Sequence, residues 1–544
     1  MVTAIAMALR ANSYFMTEVP SDGGTLHEGL VGLPHTVNPI LAVTDVDRDI
    51  SALVHAGLTR FRNNQIEPDL ASAWEISPDG LIYTFTLKPD LEFQDGSPLT
   101  AEDVVFTVNK VKDTALKSPR AADWAGVTAE ATSPSTVKFI LRQPYSSFLA
   151  NTTLGIIPSS IWGNVTNEQF IFSEYNVKPI GAGSYKVTSI KRDQGGIPTE
   201  YRLETWSGYH SKQPHIPSVI FSFFPDMDHA LNALGNGSID SLSSLPPSAA
   251  HEFSTNGGEP YRIESTPLTR IFGVFFNQNR NTLLADATIR RALDMSVDRQ
   301  AIIDSVLSGY GVPVQHPFPP GFLSGTSTEA KPQDIKAAQA LLMKEGWRLN
   351  PSGIFEKKAT KKSATTTLSL TLYTADTSDL KQAAEMVKGQ WAKMGASVTV
   401  KVFPPAELYQ SVIRTREYDA LLFGQVVGKS SDFYAFWHSS QRNSPGLNIS
   451  MYANSRADRV LESLRTATST TARAAAYRDL DKAISDDVPA TFIYAPELIY
   501  AVPKSLHGLT LGIANAPMDR FQFIDGWYMR MQSVWNAFDK NNKD

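Results

Sequence analysis

The sequence predicts an α/β chain built as at least two lobes, and three observations carry that expectation. At 544 residues the chain exceeds what one hydrophobic core organises, so it must divide. Period-two alternation, as where Tyr83 and Phe85 sit between Thr84 and Thr86, recurs beside stretches of helical spacing. In the second half a strand over Leu368–Tyr373, a helix over Asp379–Met394 and a strand over Val398–Val402 follow one another as a β-α-β unit, which demands a parallel pair and a right-handed crossover.

Taken in order, Val2–Leu9 is apolar in seven of eight positions and then meets Arg10 and a polar stretch ending at Pro20. Crossing a bilayer takes roughly 20 apolar residues, and the basic start of a complete signal peptide is missing. Residues 1–21 therefore read either as the remnant of a signal or membrane anchor or as a frayed N-terminal helix. Organised structure is expected from Gly23-Gly24, with a strand over Thr25–Gly32 and a helix over Asp45–Leu58. Pro68 precedes a helix-compatible run ending at Trp74, and Pro78-Asp79-Gly80 turns the chain into a strand over Leu81–Leu87. After a second turn at Asp95-Gly96, Thr100 stands where an N-cap belongs. Glu102 and Asp103 occupy the first turn, and Val104, Val105 and Val108 form an apolar face.

Ser135–Arg142 alternates as a strand, and the Gly-rich octet Pro179–Lys186 enters another strand at Tyr185. A phosphate-cradling role for those glycines is opposed by the strand that follows and by the missing Walker lysine pattern. Ile271–Asn277 reads as an apolar strand. Asp286–Ser308 reads as two helices, the second capped by Asp298, and Glu407–Arg414 as a further helix. Tyr418–Val427 reads as a strand, and Lys357–Lys362 as a basic solvated loop.

Composition excludes several functions. Fifty basic against 55 acidic residues leave no basic footprint for nucleic acid. The absence of cysteine removes disulfides, thiolate metal sites and cysteine nucleophiles. No G-x-S-x-G, H-E-x-x-H or C-x-x-C pattern occurs, so no catalytic residue, metal ligand or cofactor is expected. His210 and His215 share a Pro-containing stretch that reads as a surface loop. Asp45, Asp47 and Asp49 alternate like a cation loop but lack its glycine and closing glutamate, and read as a solvated helix start.

The strand, turn and capped helix within Gly57–Asn109, the octet Pro179–Lys186 and the helix pair Asp286–Ser308 resemble the peptide/nickel (dipeptide/oligopeptide-binding, family 5) class of extracytoplasmic solute-binding proteins of ABC transporters. The resemblance extends over roughly Thr25–Val502, and implies a strand over Ile220–Phe224, a helix over Asp334–Gly346 and a strand over Ala490–Val502 that returns the chain to the first lobe. It implies a two-lobed periplasmic-binding-protein-like α/β fold (class II, cluster C) with an extra subdomain in the first lobe. Residues 22–55, 185–275 and 502–544 would form the core of lobe I, 56–184 the extra subdomain and 276–501 lobe II. It also implies a monomer that is not an enzyme. Such a protein, in the periplasm or on the outer face of the cytoplasmic membrane, captures a peptide or similar small ligand and delivers it to permease subunits. Alternatives are a non-peptide cargo (metal chelate, haem-like group, oligosaccharide) and a ligand-sensing surface receptor.

Positions matching the family's contact segments are Leu33, Pro34 and His35 in the first lobe and Phe423, Gln425, Val426, Val427, Gly428 and Lys429 in the second. Phe433, Trp437, Tyr494 and Tyr500 are candidate aromatic walls, each equally suited to core packing. The aspartate that holds a peptide's α-ammonium in many such receptors is replaced here by Gly428, and the neighbouring tryptophan by Gln425. Burying an ammonium without a carboxylate is costly, which argues against the usual recognition of a free peptide N-terminus. Asp432 could serve only if its loop bends differently, and Lys429 would favour an acidic ligand.

Overall fold

Ordered pairing begins earlier than Gly23. Met16–Ser21 forms an antiparallel ladder with Arg530–Trp535, so residues 16–21 tie together two distant parts of the chain. The computed structural model describes residues 16–535, apart from 63–64, 146, 256–259, 324–328, 330, 359–364, 429–431 and 468–469. The apolar Val2–Leu9 lies outside them.

Lobe I starts with strand β1 (Thr25–Val31) and helix α1 (Asp45–Val54). The helix stops four residues before Leu58. Its terminal carbonyl, on Val54, accepts from the Gly183 N–H at 2.8 Å and from Gln94 Nε2 at 3.2 Å, so partners distant in sequence satisfy what a further turn would have satisfied. A Cβ on Gly183 would lie 2.4 Å from the Leu53 oxygen, and this close approach explains the glycine. The N–H groups of Gly181 and Gly183 are thus spent inside the protein, on Gln94 Oε1 and the Val54 carbonyl.

The extra subdomain holds a hairpin, β2 (Thr59–Arg62) and β3 (Gln65–Pro68), and a sheet of β4 (Ala71–Ile76), β5 (Ile82–Leu87), β6 (Val127–Ser133) and β7 (Thr136–Leu141) in the order β4-β5-β7-β6. The helix-compatible run ending at Trp74 is in fact part of strand β4. So short a helix would not cover its nucleation cost, whereas the Ser77–Gly80 turn folds β4 directly onto β5. Helix α2 (Ala101–Lys112) begins as expected at Thr100, whose N–H donates to Asp103 Oδ2 at 2.8 Å. Phe85, Trp124, Phe139 and Phe148 pack ring against ring beneath it.

The chain returns to lobe I through β8 (Tyr185–Arg192), β9 (Pro198–Thr205), β10 (Ser218–Phe224), α3 (Met227–Gly235), β11 (Ser241–Ser243) and β12 (Tyr261–Pro267). Lobe II comprises β13 (Arg270–Phe276), α4 (Ala287–Met295), α5 (Arg299–Leu307), α6 (Ile335–Lys344), β14 (Ser369–Ala375), α7 (Ser378–Met394), β15 (Ser397–Phe403) and β16 (Ala420–Val426). Asp298 caps α5 through the Ala301 N–H. The expected 407–414 helix is a π-helical turn over Leu408–Ile413. Lys357 and Lys358 belong to a strand, Phe355–Lys358, rather than to a loop, and Lys357 Nζ stands 6.0 Å over the Trp347 ring. The rest of that basic run lies outside the described residues.

Strand β17 (Ala490–Pro503) closes the fold. Its first residues pair with β13 and its last with β12 and β11, so a single sheet, ordered β15-β14-β16-β13-β17-β11-β1-β10-β9-β8, runs through both lobes. The β14-α7-β15 unit is parallel, as its pattern demanded.

Candidate functional site

Each lobe contains a point where strand order reverses. From β1 the chain continues to β10 on one side and later fills the other side with β11, both parallel to β1. From β14 it continues to β15 on one side and then to β16 on the other, again in parallel. In open α/β sheets, ligands bind beyond the carboxyl ends of strands at such reversals. Those ends are Val31 with the Leu33–His35 loop in lobe I, and Val426 with Val427 and Gly428 in lobe II.

The lobe I loop is held by Asp47. Its Oδ1 accepts from the N–H groups of His35 and Thr36, each at 2.8 Å, and its Oδ2 from the Thr44 hydroxyl at 2.7 Å. Pro34 is buried, while His35 is exposed. Asp47 and Asp49 are both buried, so only Asp45 of the trio meets solvent as expected. The reason is that both carboxylates have inward partners.

Along β16 the side chains alternate. Gln425 (7 % exposed) and Val427 turn inward, whereas Val426 is 53 % exposed. Phe423 is half-buried and lies opposite Gly273. Arg270 pairs in register with Val426, Phe272 with Gly424, and Phe272 again with Tyr494 on β17. Directly opposed residues share a face, so Val426, Arg270, Phe272 and Tyr494 form one wall where the chain crosses between lobes. Phe272 and Tyr494 stack with ring centroids 5.1 Å apart. The Tyr494 hydroxyl and Arg270 Nε are buried without a hydrogen-bond partner among the described residues. Arg270 and Phe272 escaped the sequence reading as site residues, since Ile271–Asn277 was read only as a strand. A cation opening an otherwise apolar strand was the available signal.

The other aromatics are core residues. Phe433 packs against Phe318, Phe322 and Tyr477, and Trp437 against Phe275, Tyr452 and Phe492. Tyr500 donates to Glu28 inside lobe I at 2.8 Å. Gly428 has φ +69° with open space around the Cβ position, and Lys429 lies outside the described residues. Asp432 is engaged on lobe II itself, accepting from the Tyr434 N–H at 3.2 Å and facing Arg465 Nε at 3.7 Å. Tyr145 and Ser147 of the extra subdomain reach this same corner.

Beneath the lobe I loop lies a charged cluster that sequence reasoning missed. Arg520 is buried with Glu28 and Asp49, donating to Glu28 Oε1 through Nε at 2.8 Å and to Asp49 Oδ2 through Nη2 at 2.7 Å. Burial pushes the Asp49 carboxyl up to about 6 against the opposing pull of Arg520. Glu28 is raised for the same reason. Burial alone would lower Arg520, but the two carboxylates outweigh it and hold it charged.

His210 and His215 do not form a pair: His210 binds Asp69 at 2.7 Å and His215 binds Asp22 at 2.8 Å. His210 is therefore packed into the subdomain boundary rather than lying on a free loop. Among the described residues no cluster of three or more His, Asp or Glu is placed to hold a metal, and no helix is long and apolar enough to cross a membrane.

The family model for bacterial extracellular solute-binding proteins, family 5 Middle, matches residues 65–446. The chain is 29% identical over 503 residues to protein XP55 of Streptomyces lividans, covering 90% of this chain and 88% of that protein. It is 26% identical to the oligopeptide-binding protein AppA of Bacillus subtilis, covering 90% and 89%. The crystal structure of the ABC transporter substrate-binding protein CtaP of Listeria monocytogenes superposes with a TM-score of 0.76 at 26% identity, covering 94% of this chain and all of that one. The AppA complex with a nonapeptide superposes at 0.65, with the same identity and coverage.

Proposed function

Because the chain belongs to the bacterial extracellular solute-binding proteins of family 5, which serve ABC transporters outside the cytoplasm, we propose that it captures peptides between its lobes and hands them to a permease. The observation that carries this reading is the pair of strand reversals, one per lobe, joined through β17 and the Leu268-Thr269 link. Ligand contacts made to both lobes exist only when the lobes close. Binding therefore shifts the open–closed population and presents a new surface to the transporter. No bond in the ligand is made or broken.

Leu33–His35 and the end of β16 are the segments to which an extended peptide would pair by its main chain, a mode that gives affinity without side-chain selectivity. With glycine at position 428 and Asp432 turned to Arg465, the charge available at the crossing among the described residues is Arg270. The site therefore reads a peptide's carboxylate rather than its ammonium. Calorimetry with blocked peptides tests this. Amidating the C-terminus should weaken binding at least tenfold and acetylating the N-terminus much less, with Arg270→Ala reproducing the first loss. A larger effect from acetylation would overturn the assignment.

A peptide at 100 times its Kd should add about 2.7 kcal/mol of stability, and small-angle scattering should show a smaller radius of gyration. If no peptide does either, and a metal chelate, haem-like group or oligosaccharide co-purifies, that cargo replaces the peptide.

A further inference from the structure

A cavity of about 370 Å³ lies where α1, the β2–β3 hairpin, the Gly183-Ser184 turn and the helical segment Pro517–Gly526 meet. That volume falls within the range of small-molecule sites. Neither Leu33–His35 nor Phe423–Gly428 lines it, so it is separate from the interlobe site and needs no lobe closure.

Its apolar wall is built by Leu53, Phe61, Leu154, Phe521 and Ile524. Most of its charges are already matched. Arg62 is closed by Asp525, and Asp69 is bound to His210. Arg60 is matched more loosely: the carboxylates of Glu67 and Asp69 pair with it only at 3.9 and 4.0 Å, beyond hydrogen-bond reach, and the Tyr209 hydroxyl is its side-chain hydrogen-bond partner. Its Nε is buried without a partner. Arg62 Nε and both polar atoms of the Gln522 amide are in the same condition. Buried polar groups are nearly always bonded, and each exception asks for an explanation. Here four such atoms belong to three residues of one cavity wall.

We propose that this cavity is a second binding site, for a small organic carboxylate with an apolar body. Arg60 receives the carboxylate as a charge-assisted bond, the Gln522 amide pairs with a neighbouring hydroxyl or carbonyl, and the body rests on Phe61, Leu154 and Phe521. The ligand joins the extra subdomain to the core of lobe I. This inference does not depend on the peptide reading.

The test uses 4-bromobenzoate with the full chain. Anomalous scattering from soaked crystals should place the bromine inside this cavity, with the carboxylate on Arg60. Calorimetry should show binding at least tenfold weaker for Arg60→Gln, less affected for Arg60→Lys, and lost for Ala42→Trp, which fills the cavity from its lining. Binding of interlobe cargo should be unchanged in all three variants, which separates failure here from failure of the peptide reading. Bromine located elsewhere, binding seen only at soak concentration, or an Arg60→Gln protein that folds normally and keeps its affinity would each overturn the proposal.

Discussion

Two buried arginines, one in each lobe, are neutralised in different ways. In lobe I, Arg520 is enclosed with two carboxylates, Glu28 and Asp49. In lobe II, Arg290 reaches no carboxylate at hydrogen-bond distance among the described residues; it donates to the carbonyls of Leu284, Ala285 and Val488 at 2.7–3.0 Å. Carbonyl dipoles at helix ends take part of the charge without adding a titratable group. Burial lowers Arg290 as it would any enclosed cation. The difference is local: the Arg520 cluster includes a carboxyl that titrates near 6, whereas the groups that accept from Arg290 are carbonyls, which carry no proton.

The largest expected effect tests the ion cluster. Arg520→Leu strands two buried carboxylates and should cost about 3–5 kcal/mol, read in guanidinium titrations as early loss of lobe I. A smaller loss than for Arg290→Leu would break the contrast between the lobes.

Next comes a pH effect confined to lobe I. Burial holds His55 down to about 4, against the opposing pull of its bond to Ser51. Between pH 6.5 and 4 the unfolded chain takes up a proton that the folded chain refuses, so this group removes stability as pH falls. Asp49, raised to about 6 by burial, acts in the opposite sense: the folded chain accepts its proton first, so stability is gained as pH falls through 6 and lost as it rises. The two trends offset each other in the wild type. Relative to the wild type, His55→Gln should keep roughly 3 kcal/mol more of its neutral-pH stability at pH 4. Parallel pH curves for the two proteins would show that His55 is not held neutral.

Arg290→Leu should cost roughly 2 kcal/mol and, unlike the Arg520 variant, the same amount at pH 5 and pH 8. The smallest effect sharpens the picture outside both clusters. Thr100→Ala, at the start of α2, should lower stability by about 1 kcal/mol, with no change in cargo affinity measured by calorimetry.

Short-range features were legible in the sequence. The Thr100 cap, the Asp298 cap and the β14-α7-β15 unit each depend on residues within one or two turns of each other or on a repeating pattern, and each is found where expected. What escaped depends on distant partners. Strand β4 is a strand because β5 lies beside it, and α1 ends early because Gly183 and Gln94 come to meet it. Asp47 and Asp49 look solvated until Arg520 and the Leu33–His35 loop are folded over them. The candidate site was legible as segments rather than as side chains. Period-two alternation separates Gln425 from Val426, and Arg270 enters only through its register with β16.

Glu28 and Arg520 lie 492 positions apart, and one gives the other its counter-charge. Lobe I therefore cannot finish its interior until nearly all of the polypeptide has been made, since its first strand waits for a segment near the end. A chain that remains uncommitted for so long during synthesis stays threadable, which is the condition a secretion channel needs in a passenger that assembles on the far side of the membrane.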